Sequence, residues 1–146
     1  MGDAVGKLRS NAVEHTIRIK VRHHEMDALG HVNNAVYLNY AEECAIAHGK
    51  HVGYGIARMR EVGGIFIVHR HEITYHHPAV SGDELCITTR VTAMAGVRAT
   101  RHTTIIHQAN GVLVAEAKTE WVWVDNDGRP RRIPDEVLEA FPPASE

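Results

Sequence analysis

One stretch of this chain is long enough, and free enough of breakers, to be a long helix, and nearly everything around it alternates like strand. Between Asn34 and His51 the sole breaker is Gly49, and alanine is frequent. Asn33 or Asn34 offers an N-cap oxygen, and Gly53 or Gly55 a place to stop. The inward candidates of that helix are Tyr37, Leu38, Ala41, Cys44, Ala45, His48 and Val52. Most are small, so a sheet can approach the helix backbone closely.

Before the helix, Val13, His15, Ile17, Ile19 and Val21 alternate with Glu14, Thr16, Arg18 and Lys20, which predicts a strand over 14–21 with one wet face. After it, Gly63-Gly64 interrupts the chain and four strand-like stretches follow. The first, 65–75, is closed by Pro78 and the turn residues Ser81-Gly82-Asp83. In the second, Leu85, Ile87, Thr89, Val91 and Ala93 face one way. Ala95-Gly96 turns into the third, 97–108, and Asn110-Gly111 is a strong hairpin signal before the fourth, 112–124. Asp125-Asn126-Asp127-Gly128 is a further turn, and a short helix is expected over 134–141 with proline in its first turn. This order predicts an α+β domain whose curved antiparallel sheet, a consecutive meander, wraps one long central helix. The expectation is a single domain over 1–146, with its core at about 14–124.

Composition narrows the function. A chain of 146 residues, 44% apolar and 23% charged, is that of a globular domain able to bury a core without staples. No apolar run approaches the ~20 residues of a membrane span. Met1-Gly2-Asp3-Ala4-Val5-Gly6 has neither a signal pattern nor a myristoylation site. A net charge of −2 disfavours a sequence-independent grip on nucleic acid. Cys44 and Cys86 lack metal or redox spacing, which predicts reduced thiols in a cytoplasmic protein.

Chemistry has one favoured location. Asp27 and His31 lie in a non-repetitive loop just before the long helix, whose N-terminus offers unpaired N–H groups and partial positive charge. A carboxylate beside such donors suits acyl transfer: a base or nucleophile, plus a polariser of the carbonyl. The same residues also admit plainer roles, with Asp27 bracing the loop, Asn33 only capping and His31 hydrogen-bonded. The 12 histidines invite a metal test. His69-Arg70-His71 after Gly63 opens like a cupin motif, yet Tyr75 or His76 stands where a glutamate is needed, and the second motif is absent. No metal site is predicted. No Gly-x-Ser-x-Gly elbow and no Gly-rich phosphate loop occur. Cys44 reads as a packed helix residue, and Arg58, Arg60, Arg98 and Arg101 are candidate phosphate contacts.

The stretch from Asp27 to Leu38, Asp-x-x-Gly-His-Val-Asn-Asn-x-x-Tyr-Leu, resembles the acyl-CoA thioesterases of the hotdog fold. It is similar in particular to the 4-hydroxybenzoyl-CoA thioesterase branch and its long-chain acyl-CoA members. A second matching piece runs from Ile73 through Tyr75, Pro78 and Ala79 to Gly82-Asp83. The resemblance implies a hotdog domain that hydrolyses an acyl-CoA or acyl-carrier-protein thioester without a cofactor. It places Asp27 on the catalytic carboxylate and the backbone N–H of Asn34 on the thioester carbonyl. His31 matches a histidine of the plant acyl-carrier-protein thioesterases, which carry Asn where this chain has Leu29. Glu42 falls on the helix acid, expected to support the loop and standing as second candidate for catalysis. Asn33, Tyr37, Arg98 and Arg101 are the expected substrate contacts. Hotdog relatives imply a homodimer or homotetramer. The rival readings are an acyl-thioester hydratase or dehydratase, a non-catalytic acyl-CoA-binding module, and a cupin-like metal protein.

Overall fold

The computed structural model describes residues 13–144. In chain order it has β1 (Glu14–Lys20), a 3-10 turn (His23–Glu25), α1 (Val36–His51), α2 (Ile56–Glu61), β2 (Gly64–Tyr75), β3 (Glu84–Ala95), β4 (Arg98–His107), β5 (Leu113–Asp125) and α3 (Asp135–Ala140). The five strands form one antiparallel sheet in the order β1-β3-β4-β5-β2.

That order corrects the consecutive meander. β3, β4 and β5 are hairpin neighbours, but β2 pairs with β5 at one edge while β1 pairs with β3 at the other. The connection after Tyr75 therefore crosses the sheet instead of turning back on itself. It is held on the way by the helix and its approach: Ala79 N–H donates to the Tyr37 hydroxyl at 3.2 Å, and Val32 N–H to the Ala79 carbonyl at 2.9 Å. At its far end Val21 and Gly82–Asp83 exchange backbone bonds, which delivers β3 beside β1.

The face of α1 turned to the sheet carries Tyr37, Tyr40, Ala41, Cys44, Ala45, His48 and Gly49, all buried, while Leu38 and Val52 are half-buried. Tyr40 joins the expected inward residues because it lies three positions from Tyr37 on the same face. Leu85, Ile87, Ile105, Val114 and Ala115 meet this face from β3, β4 and β5. A second cluster, with Trp123, Val91, Ile133, Val137 and Phe141, fills the end of the domain covered by α2 and α3. The alternation of β3 holds through Val91 and then slips, since the register shifts between Val91 and Ala93 and Ala93 is exposed.

Helix α2 has no counterpart among the elements expected from sequence. With six residues and only Met59 fully buried, it lacks the length to form alone and depends on the tertiary contacts around it. The glycine pair after it has a steric reason. A Cβ on Gly64 would collide with the Val124 carbonyl and come within 2.9 Å of the Trp123 ring, so only glycine lets β2 start against β5. Among the described residues, no helix is long and apolar enough to cross a membrane.

Candidate active site

The loop before α1 is a small hairpin built on Asp27. Met26 and Val32 bridge in antiparallel fashion, Asp27 N–H donates to the His31 carbonyl at 2.7 Å, and Gly30 N–H returns to the Asp27 carbonyl at 3.1 Å. Gly30 turns at φ 81°, a left-handed conformation that suits glycine. One carboxylate oxygen of Asp27, Oδ1, accepts the Leu29 N–H at 2.9 Å and the His31 N–H at 3.4 Å. The other oxygen accepts no hydrogen bond among the described residues. Asp27 thus does brace its loop, and from a half-buried position it keeps one oxygen uncommitted.

Glu25 anchors this hairpin to the helix, a role that the sequence motif does not reveal. Only 7% exposed, it accepts from the Arg22 N–H at 2.9 Å, the Arg22 guanidinium at 2.9 Å and the Tyr40 hydroxyl at 2.8 Å. Its carbonyl takes the Asn33 N–H at 2.9 Å. Burial alone would raise its pKa, but the hydrogen bonds from Arg22 and Tyr40 and the Arg22 charge outweigh it and hold the carboxyl at about 2. Burial, then Glu25, pushes the Tyr40 phenol up in turn. Glu25 thus ties the loop to the helix, whereas the Glu42 side chain is exposed and accepts no hydrogen bond among the described residues. The one signal in the sequence is Glu25 standing three residues after Arg22, with a tyrosine on the inner helix face.

Just before α1 the Asn33 Oδ1 accepts the Ala35 N–H at 2.9 Å and its carbonyl takes the Val36 N–H at 2.9 Å. The cap position is Ala35 and not the expected asparagine, with no side-chain hydrogen bond. The N–H groups of Asn33, Ala35 and Val36 are engaged, whereas that of Asn34 has no partner among the described residues. Asn34 lines a cleft of about 220 Å³ together with His31, Val32, Tyr37, Tyr75, His76, His77 and Pro78. The Tyr75 hydroxyl donates to the Asn34 carbonyl at 2.9 Å, and its ring lies 5.6 Å from that of Tyr37. The Tyr37 hydroxyl is pushed up in pKa, chiefly by burial, and so stays protonated.

The structure therefore gathers His31, Asn34 and Tyr37 in one cleft, while Asp27 and Asn33 lie in the same pre-helix loop and do not line it. It does not bring Glu42, Arg98 or Arg101 there. Glu42 borders a second, apolar cavity of about 140 Å³ beside the later turns of α1. Arg98 is exposed and pairs with Glu120 at 3.2 Å. Arg101, expected as a surface contact for phosphate, is instead 8% exposed and packed beneath α1. Of the other candidate cations, Arg58 pairs with Glu61 and Glu136, and Arg60 bonds Asn126. Cys44 is buried, donates to the Ile87 carbonyl at 3.3 Å, and is pushed up to about 12 by that burial, which suits packing and not attack.

The histidines disperse. His71 bonds Thr119 at 2.9 Å, His76 meets Glu116 at 2.7 Å, and His15 packs its ring against those of His48 and His51. Among the described residues, no three His, Cys, Asp or Glu side chains converge on a point that could hold a metal ion.

Residues 21–141 match the family model described as the thioesterase-like superfamily. The chain is 34% identical over 132 residues to the acyl-acyl carrier protein thioesterase ATL2, chloroplastic, of Arabidopsis thaliana, covering 87% of this chain and 68% of that one. It is 33% identical over 108 residues to the long-chain acyl-CoA thioesterase FadM of Escherichia coli, covering 74% of this chain and 81% of that one. Among solved structures, a thioesterase from Thermus thermophilus in complex with coenzyme A and zinc is 30% identical, with a TM-score of 0.74 over 89% of this chain and 92% of its own. The five-stranded antiparallel sheet around a long helix is the hotdog fold of these thioesterases. Relatives and structural neighbours alike support a thioester hydrolase, and the chain belongs to the thioesterase-like superfamily.

Proposed function

We propose that this protein hydrolyses the thioester of a fatty or aromatic acyl-CoA, or acyl carrier protein, with Asp27 as general base or nucleophile, in the manner of the 4-hydroxybenzoyl-CoA thioesterase branch. One observation carries the reading: a carboxylate with an uncommitted oxygen lies in the loop leading to a helix start whose Asn34 N–H has no partner among the described residues. Attack on the thioester carbonyl turns that oxygen into an oxyanion. The Asn34 N–H, aided by the positive end of a 16-residue helix, is the donor that takes up the developing charge. As a base, Asp27 takes the proton of the attacking water and returns it to the thiolate as the C–S bond breaks. As a nucleophile, it attacks the carbonyl itself, expelling the thiolate and forming an anhydride that a water then hydrolyses to the free acid, its proton going to the thiolate. His31 and Tyr37 line the cleft that receives the acyl end of the thiol arm. The names of the relatives in Arabidopsis and Escherichia support both kinds of donor.

The purified chain is expected to release free thiol from a panel of acyl-CoA substrates and to hydrate no enoyl-CoA. Hydration without thiol release would make it a hydratase of the same fold. Tight binding with neither reaction would make it a carrier of acyl-CoA.

The active assembly is proposed to be a homodimer or a dimer of dimers. Strand β2 is a twelve-residue edge, with Ile67 45% and Tyr75 41% exposed along it, and open edges of that length call for a covering partner. Light scattering is expected to give at least twice the chain mass at micromolar concentration. A fully active monomer would exclude the assembly.

A further inference from the structure

The apolar cavity beside the later turns of α1 has two charged residues in its wall: the exposed Glu42, which pairs with no cation among the described residues, and one buried residue that does not match the rest. Ile46, Met59, Phe66, Met94 and Phe141 are the kind of lining a hydrocarbon needs, yet Arg101 is there too, 8% exposed. Its Nη1 donates to His48 Nδ1 at 2.9 Å and to Thr89 Oγ1 at 3.2 Å. The His48 ring therefore accepts at Nδ1. One face of the guanidinium is covered by the Phe141 ring, 5.7 Å away. Burial pulls the Arg101 pKa from 12.5 to about 10, so it remains a cation at neutral pH.

What the cation lacks is a counter-charge. Among the described residues no carboxylate pairs with Arg101, and its Nε and Nη2 donate to nothing. A guanidinium carries five N–H donors, and its Nε–Nη2 edge is a planar fork matched to the two oxygens of a carboxylate. A buried charge left uncompensated is strongly unfavourable, whereas a paired one is tolerated. An anion with an apolar body would satisfy both the walls and the fork. A phosphate, compact and strongly hydrated, would satisfy only the fork.

We propose that this cavity binds an apolar carboxylate, its hydrocarbon body against Ile46, Met59 and Phe66 and its two oxygens on the Nε–Nη2 edge of Arg101. The proposal rests on the thioesterase reading only for the origin of the anion. The same chemistry is presented by a free acid, the product class of that reaction, and by the far carboxylate of an acyl group still in thioester linkage.

Calorimetric titration of the full chain with octanoate and with 1-octanol tests the site directly. Octanoate is expected to bind at least about tenfold more tightly than the alcohol. Arg101→Met should abolish that difference while keeping the alcohol's affinity, and replacing buried charges with apolar side chains is often neutral or stabilising. Ile46→Trp, on the exposed side of α1, is the second variant: it fills the cavity from its rim and should weaken both ligands. A second arm compares kcat/KM for octanoyl-CoA and for its analogue bearing a terminal carboxylate. Preference for the latter, lost in Arg101→Met, supports the tethered source, and equal values with tight octanoate binding support the free acid. Equal affinity for octanoate and 1-octanol, with no preference between the thioesters, overturns the proposal. The titration reads no turnover, so it decides the site even if the chain hydrolyses neither thioester.

Discussion

Asp27→Asn is expected to lower the turnover number at least about 100-fold while leaving substrate affinity and melting temperature nearly unchanged. Asparagine keeps a side-chain oxygen for the Leu29 and His31 N–H groups, so the hairpin before α1 survives the change. It removes what the amide cannot replace, a second oxygen able to take a proton or attack a carbonyl. General-base assistance is worth about 10²–10⁴ in rate, and a lost nucleophile can cost more. His31→Ala should cost less, because His31 lines the cleft but leaves the Asn34 donor in place. Glu42→Gln is the matched control: Glu42 borders the other cavity and should tolerate the change with near-normal turnover. Thiol-release kinetics on the three variants decide the matter. Normal turnover in Asp27→Asn together with loss in Glu42→Gln would move the catalytic acid onto the helix.

The second large effect is on stability and has a defined pH window. Glu25 titrates at about 2 in the folded protein, below its ordinary 4.5. A carboxyl lowered on folding contributes stability that is fully present above its unfolded pKa. That contribution is lost as pH falls from about 4.5 towards 2. Glu25→Gln removes the charge and with it the strength of the bonds from the Arg22 N–H and the Tyr40 hydroxyl. Arg22 is 63% exposed, so its ion pair adds little in water, and the cost comes mainly from the buried bonds. At neutral pH the variant should lose roughly 1.5–3 kcal/mol, or about 4–10 °C in melting temperature. Below pH 4.5 the gap between wild type and variant should narrow. Thermal melts across the acid range up to neutrality test this, and a gap that stays constant or widens in acid would refute the role given to Glu25.

Local patterns in the chain carry far. The period-two alternation around Ile17 and Ile19, and the Asn110-Gly111 turn, where Gly111 adopts φ 74°, announce strands and a hairpin that the structure contains. The small residues of the long helix, Ala41, Cys44 and Ala45, are buried, and Cys44 reaches the His15 carbonyl of β1 and the Ile87 carbonyl of β3. These features are legible because each is decided within a few residues by sterics and by which side of an element is apolar.

Helix α2 and the place of β2 are not legible, for the opposite reason. Six residues between glycines do not specify a helix until something packs on Met59, and β2 has the same alternation whether it pairs with β3 or with β5. Arg101 shows the point most sharply. In sequence it is one of several cations on an alternating strand, as eligible for the surface as Arg98 at the start of the same strand. Its position on the inner face of β4, opposite His48 of α1, makes it a buried charge with an unfilled fork. So the sequence by itself determined the five strands, the long helix, the loop that carries Asp27 and the helix start it precedes, because those follow from short-range spacing. Only the tertiary structure decided the strand order, the bracing of that loop by Glu25 and the burial of Arg101. These depend on which distant residues meet, and burial sets the electrostatic cost of each meeting.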